Sequence, residues 1–119
     1  MKPPKTRAGH EWTEARYWGF IRSALRQASR RWPPIARQAL GAVRRPYSGL
    51  NPRQRWEYPC ATCGGWYPAK EVQVDHVEPC GTLTAYADLP GFVERLFCEA
   101  DRLRVVCREC HKKITAEAK

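Results

Sequence analysis

The chain has 119 residues, which is enough for one compact domain or a small domain with an extension and too few for two full hydrophobic cores. No apolar run approaches the length of a membrane span and the start of the chain lacks a signal-peptide pattern, which argues against a secreted or membrane protein and favours the cytoplasm. The 21 Lys and Arg against 12 Asp and Glu give a net charge of +9, so a polyanionic partner is expected, nucleic acid first.

The positive charge lies in the N-terminal half. Residues 1–58 hold 13 Lys or Arg and three acids, a net charge of +10, whereas residues 59–119 hold eight bases and nine acids, a net charge of −1. All six cysteines lie in the second of these segments. We therefore expect a basic helical arm and linker at residues 1–52 and a cysteine-bearing domain at residues 53–119.

Two helices are predicted in the arm. Thr13 is a suitable N-cap for a first helix over residues 14–31, which the Pro33-Pro34 pair would end. A second, shorter helix is predicted over residues 35–44. Apolar side chains of the first helix recur at helical spacing and predict one buried face, made of Tyr17, Phe20, Ile21, Ala24, Leu25 and Ala28.

Arginines recur at four-residue spacing on the opposite face of the first helix, at Arg22, Arg26 and Arg30. Such a stripe is commonly no more than a solvated helix face. The net charge of +10 over residues 1–58 favours the alternative, a surface that follows the phosphates of DNA. The arm's tryptophans are interpreted as packing residues rather than as platforms for base stacking.

Two C-x2-C pairs, separated by 43 residues, predict a structural zinc site on Cys60, Cys63, Cys107 and Cys110. Disulfides are disfavoured because cytosolic thiols stay reduced. Four thiolates would complete the tetrahedral sulfur site that zinc favours and leave no open position for chemistry. Glycines directly after Cys63 allow the tight turn of a zinc knuckle.

Cys80 and Cys98 fall outside these pairs. We expect both to be buried or half-buried thiols. A second metal site or a bridge between them is the alternative.

Alternating apolar residues predict a strand over residues 72–77 and a second strand over residues 103–106, followed by a C-terminal helix. This order would bring Asp75 and His76 of the first strand close to His111 of the helix. A carboxylate and one imidazole can hold a divalent cation, and the other imidazole suits a general base, since histidine is the side chain that ordinarily titrates near neutral pH. Adjacent strand residues face opposite sides, so Asp75 and His76 can share a site only if the strand bends or ends there.

The segment from Cys60 to Thr115 resembles the HNH nucleases, in the Asp75-His76 pair and in the Cys-x2-Cys-His run that ends at His111. Around the Asp-His pair and in the run Asp88-Leu-Pro-Gly-Phe-Val-Glu94, it is similar to the small HNH proteins of tailed bacteriophages. The resemblance implies an α+β fold: a treble-clef-like ββα-metal core with a zinc-stabilised knuckle, preceded here by the basic helical extension.

The resemblance also implies a function, that of a metal-dependent DNA endonuclease or nickase hydrolysing phosphodiester bonds. His76 would be the general base, and Asp75 and His111 would hold the catalytic ion, Mg²⁺ or Mn²⁺ with Ni²⁺ or Zn²⁺ as alternatives. Arg102 stands where the family usually has an Asn that braces the loop of the base, and an Arg can donate hydrogen bonds but cannot accept them.

Basic residues beside the expected site are candidates to hold the phosphates of the cleaved strand: Arg104, Arg108, Lys112 and Lys113. A non-catalytic, zinc-stabilised DNA-binding module, or an accessory protein of phage DNA packaging, is the alternative function. Phage terminase or packaging proteins would then be partners besides DNA, in the cytoplasm of an infected bacterium.

Overall fold

The computed structural model describes residues 2–117 and divides the chain into two compact units. Residues 2–32 and 78–97 form the first unit, and residues 33–77 and 98–117 form the second. The limits of these units do not coincide with the predicted boundary between residues 52 and 53. In chain order the strands and α-helices are β1 (Lys5–Arg7), β2 (Trp12–Thr13), α1 (Glu14–Ser29), α2 (Ala39–Val43), β3 (Arg45–Pro46), β4 (Trp56–Pro59), β5 (Trp66–Tyr67), β6 (Val72–His76), α3 (Leu89–Leu96), β7 (Leu103–Cys107) and α4 (Arg108–Glu117).

Helix α1 begins where its cap was predicted and ends slightly earlier than predicted. The Thr13 hydroxyl accepts a hydrogen bond from the backbone N–H of Arg16, 3.2 Å away, which satisfies one free donor of the first turn. After Ser29 the backbone continues in tighter turns, because the N–H of Arg31 and of Trp32 bond the carbonyls three residues earlier. The predicted end at residue 31 therefore includes this irregular last turn.

The buried side of α1 centres on Trp18, which is 3% exposed. It packs in one core with Leu83, Phe92 and Leu96 from the segment 78–97. The predicted face is wrong at Phe20, which is 60% exposed, and at Ala24, which is also exposed. The large indole of Trp18 takes the core position, while Phe20 packs edge-on against Trp12, with ring centroids 5.1 Å apart. The other residues of the predicted face, Tyr17, Ile21, Leu25 and Ala28, are partly buried.

The segment between the two main strands, residues 78–97, packs on α1 rather than forming a unit of its own. Leu83 and Phe92 have no exposed surface and Leu96 has 1%. Helix α3, only eight residues long, cannot bury these side chains alone, and Trp18 supplies the facing apolar surface. Residues 2–32 and this excursion thus make one core, although residues 33–77 separate them in the sequence.

Strands β6 and β7 of the second unit pair antiparallel in an unbroken register. Val72 lies opposite Cys107 at one end and His76 lies opposite Leu103 at the other. Helix α4 begins at Arg108, directly after β7. The strand, strand and helix predicted from the sequence are all confirmed, with ends that differ by one or two residues.

Both faces of this strand pair are covered, which agrees with the near-continuous apolar run of β7. On one face Val72 and Val105 pack with Tyr58 of β4. On the other, Val106 packs with Ile114 of α4 and with cysteines at the strand end.

The predicted short helix over residues 35–44 consists of two parts. Residues Pro34–Gln38 form a π-helical turn, and α2 follows. Ala39 of α2 is buried with Cys98 and Leu103, so this helix covers part of β7. Strands β3, β4 and β5 form a separate three-stranded antiparallel sheet beside it.

Within residues 2–117, no helix combines the length and the apolar character needed to cross a lipid bilayer. The fold is a mixed one, with four α-helices and small antiparallel sheets among these residues.

Candidate metal centre and active site

The four cysteines of the two C-x2-C pairs lie together. Their Sγ atoms are all within 4.8 Å of one another, and the group consists of Cys60, Cys63, Cys107 and Cys110. Sulfurs around a tetrahedral zinc, with Zn–S bonds of about 2.3 Å, are about 3.8 Å apart. The cluster is therefore compatible with the structural zinc that the spacing predicted, and small movements of the side chains suffice to receive the ion.

The first pair lies on a knuckle closed by the backbone. The Cys60 carbonyl accepts a hydrogen bond from the N–H of Gly64 at 2.9 Å, and the N–H of Cys63 points at the Cys60 sulfur from 3.5 Å. Gly64 has a φ of +76°, a conformation that a side chain would strain. The glycine after Cys63 is needed for this turn, as the sequence indicated.

The second pair uses the change from strand to helix. Cys107 ends β7 and Cys110 lies in the first turn of α4, where its N–H points at the Cys107 sulfur from 3.5 Å. Both pairs therefore aim a backbone N–H at the first sulfur of the pair. This stabilises negative charge on sulfur, and the thiolate is the form that binds metal.

The sulfurs differ in their affinity for protons. Burial acts to raise the pKa of Cys60, but N–H donors from the backbone of Cys107, Cys63 and Thr62 outweigh it and lower this pKa to about 6. The adjacent sulfur of Cys107 raises the pKa of Cys110 to about 12, because negative charge is crowded there. A divalent cation among the four sulfurs would offset that crowding.

Tyr67 contacts this cluster and was not predicted as part of it. Its hydroxyl lies 3.3 Å from the Cys63 sulfur, and this contact lowers the pKa of Cys63 while raising that of the Tyr67 hydroxyl. Strand β5 brings Tyr67 back to the knuckle, since Tyr67 pairs with Tyr58 of β4. The sequence offered one indication of this contact, a Tyr four residues after Cys63. That spacing alone does not distinguish a residue beside the cysteines from an aromatic residue of the core.

Asp75 forms an ion pair that the sequence analysis missed. Arg104 lies directly opposite it in the β6–β7 register, and the Arg104 Nε and Nη2 donate to Asp75 Oδ2 at 3.1 and 3.0 Å. Both hydrogen bonds reach the same oxygen, so this pair leaves Oδ1 uninvolved. The Asp75 side chain is 21% exposed, which keeps it accessible from solvent.

His76 is the last residue of β6, and the strand stays regular up to it. Side-chain alternation therefore directs Asp75 and His76 to opposite faces of the strand. The pairing continues one residue further through a hydrogen bond of 3.0 Å from the Val77 N–H to the Arg102 carbonyl. The sequence analysis required that the strand bend or end at Asp75 and His76 if both side chains were to share a site. Strand β6 ends at His76 and shows no bend before it.

His111 lies in the first turn of α4 next to Cys110 and is half-buried. Among residues 2–117, Asp75, His76 and His111 do not gather into a cluster of three metal-ligating atoms; the four cysteines are the group of three or more that these residues form. A site with two protein ligands, Asp75 and His111, is smaller than that and stays a prediction.

Six of the basic residues predicted to contact nucleic acid are exposed: Arg22, Arg26 and Arg30 on α1, and Arg108, Lys112 and Lys113 on α4. The seventh, Arg104, is half-buried and paired with Asp75. The Arg26 guanidinium lies 5.9 Å from the Phe92 ring centroid, so its stem covers part of the first core. Exposure agrees with phosphate binding and equally with solvated helix faces, so the DNA contact stays a prediction.

The two remaining cysteines are buried, as expected. Cys80 belongs to the core around Trp18, and Cys98 to the cluster around Ala39. Burial raises the pKa of Cys98, which keeps it a thiol at neutral pH.

Comparison of the chain with protein-family models, with curated proteins and with solved structures finds no match.

Proposed function

We propose that the chain is a metal-dependent DNA endonuclease or nickase of the HNH type. The observation that carries the proposal is the order of elements in the second unit: an antiparallel strand pair, β6 and β7, that runs directly into α4. The four-cysteine cluster ties the knuckle to the β7–α4 junction. The Asp-His pair at the end of β6 and the His of α4 match the base and the metal ligands of such a site.

In this proposal the side chains have distinct roles. His76 takes the proton of the attacking water, for which a neutral imidazole is suited near neutral pH. Asp75 and His111 hold a divalent cation, which would stabilise charge on the phosphodiester and on the leaving oxygen. Asp75 Oδ1, which the ion pair with Arg104 leaves uninvolved, is the oxygen best placed for that cation.

The cysteine cluster has a structural role only. Four protein ligands complete a tetrahedral zinc site, so its ion would have no position for water or substrate. It would fix the start of α4, and with it His111, relative to the strand pair.

The proposed partner is DNA, and proteins of phage DNA packaging are proposed as further partners.

A second candidate function, a zinc-stabilised DNA-binding or DNA-packaging accessory module without catalysis, is favoured by the ion pair of Asp75. Arg104 holds that carboxylate with two hydrogen bonds, and a cation would have to share it. Arg102 also stands in the position of the Asn that HNH nucleases usually have. Both features would weaken catalysis while leaving the basic surfaces unchanged.

A supercoiled-plasmid assay separates the two candidates. Purified protein, freed of loosely bound metal, would be incubated with plasmid and Mg²⁺, Mn²⁺, Ni²⁺ or Zn²⁺, beside His76→Ala and the control His10→Ala. His10 is an exposed arm residue that contacts the Lys5 carbonyl at 3.2 Å. Metal-dependent nicking or linearisation by wild type and His10→Ala, but not by His76→Ala, is the expected result. Plasmid binding without cleavage under any metal would instead favour the accessory module.

A further inference from the structure

The hairpin formed by β3, β4 and their connection carries a dense positive charge. We call residues 44–57 the arginine hairpin: it holds Arg44, Arg45, Arg53 and Arg55 against a single acid, Glu57. Arg45 lies opposite Glu57 in the β3–β4 register, and the hairpin loop is closed by a 2.9 Å hydrogen bond from the Tyr47 N–H to the Arg55 carbonyl. These four arginines are none of those predicted to contact nucleic acid on α1 or α4.

Two of these arginines are stacked on tryptophan rings. The Arg45 Cζ lies 3.6 Å from the ring centroid of Trp66, and the Arg44 Cζ lies 3.9 Å from that of Trp56. A guanidinium stacked on an indole keeps its N–H groups at the edge, where they can still donate to an anion. Stacking also limits the side-chain freedom that would be lost on binding.

The balance of charge leaves the hairpin positive. The Arg45 Nε donates to Glu57 Oε1 at 2.6 Å, which orients the guanidinium and leaves its two terminal nitrogens outside that contact. All four arginines are exposed, whereas the Glu57 side chain is 16% exposed. A surface recess beside the loop is lined by Arg53, Arg55 and Trp56. Planar donors at fixed spacing suit the oxygens of phosphate groups, which accept two bonds from one guanidinium.

We infer that the arginine hairpin binds the phosphate backbone of DNA, with Arg44 and Arg45 as its oriented contacts. The inference rests on the proposed function in taking DNA as the polyanion. It adds a contact surface in the same unit as the proposed active site, and it needs no catalysis. Since every contact is to phosphate, the hairpin contributes affinity and positioning rather than sequence preference.

The test is the salt dependence of binding to a fluorescently labelled DNA duplex, measured by anisotropy without added divalent cation. Arg44→Gln/Arg45→Gln is compared with Arg37→Gln/Lys70→Gln, which removes the same charge from exposed positions of the same unit. The slope of log K against log salt is negative, and each phosphate contact contributes about 0.9 to its steepness. The hairpin variant should therefore make the slope shallower by about 1.8. The same relation predicts affinity about 30-fold weaker at 0.15 M salt, and a much smaller change for the control.

A second variant, Trp66→Leu, tests the stacking. All charges remain, so the slope should stay at the wild-type value while affinity falls about two- to fivefold. Thermal melting of each variant shows that the fold is kept. Equal slopes for the hairpin variant and the control overturn the inference but leave the proposed function in place. If wild-type protein binds no DNA at 50 mM salt, the proposed function falls as well.

Discussion

Replacing Cys107 by Ser should unfold the second unit under conditions in which the wild type is folded. Cys107 is 4% exposed and packs with Val106, Cys60 and Cys110. Structural zinc contributes about 10–16 kcal/mol in small zinc domains, so an even share for one of four ligands is about 2.5–4 kcal/mol. Burying a poorly bonded hydroxyl costs about 1–3 kcal/mol more. The sum, about 3.5–7 kcal/mol, is comparable with the whole stability of a small domain, about 5–15 kcal/mol.

The cysteines of the cluster differ in exposure, so their Ser variants should differ in stability. Cys63 is exposed, so Cys63→Ser loses the ligand but buries no hydroxyl, and its effect should stay near the ligand share of about 2.5–4 kcal/mol. Cys107→Ser should therefore melt at a lower temperature than Cys63→Ser. Cys98→Ser is the matched control, since Cys98 is 7% exposed in the same unit and lies outside the cluster.

Thermal unfolding followed by circular dichroism, with zinc content measured by mass spectrometry, provides the assay. Wild type and Cys98→Ser should carry one zinc per chain, and both cluster variants should lose it or hold it weakly. A Cys107→Ser protein that keeps the wild-type melting temperature and a full zinc content would refute the four-cysteine site. Equal destabilisation of the Cys98 and Cys107 variants would show that burial, and not the metal, sets the effect.

Two further substitutions test the surroundings of the cluster and the first core. Tyr67→Phe removes the hydroxyl 3.3 Å from the Cys63 sulfur and should lower zinc affinity about tenfold while the fold is kept. Competition with a chelator measures the affinity, and an unchanged value would show that the contact contributes nothing. Trp18→Ala empties the centre of the first core and should cost about 3–5 kcal/mol in chemical unfolding, whereas Phe20→Ala, at a position 60% exposed, should cost less than about 1 kcal/mol. A larger loss of stability for Phe20→Ala than for Trp18→Ala would contradict this core and favour the buried face predicted from periodicity.

Some features could be read from short stretches of sequence because their causes are local. A Thr before an apolar-periodic run caps a helix, and Thr13 does so here. Glycine after a C-x2 cysteine allows a left-handed turn, which Gly64 adopts. The alternation of residues 72–77 and 103–106 predicted strands, and the two strands pair. Cysteine spacing predicted the four-cysteine cluster because two C-x2-C pairs are a pattern typical of zinc sites.

The features that the sequence analysis missed depend on which distant surfaces meet. Periodicity cannot rank Phe20 against Trp18, because the choice follows from the apolar surface that residues 78–97 bring to α1. The partner of Asp75 follows from strand register, which places Arg104 opposite it although 29 residues separate them.

The sequence by itself determined the local elements of this protein, its uneven charge and the four cysteines that gather into a cluster. Only the tertiary structure decided that α1 and the segment 78–97 form one core, that Arg104 holds Asp75, and that two hairpin arginines stack on tryptophans. The physical reason is that propensity and spacing act over a few residues, whereas packing and ion pairing depend on how the whole chain buries its apolar surface.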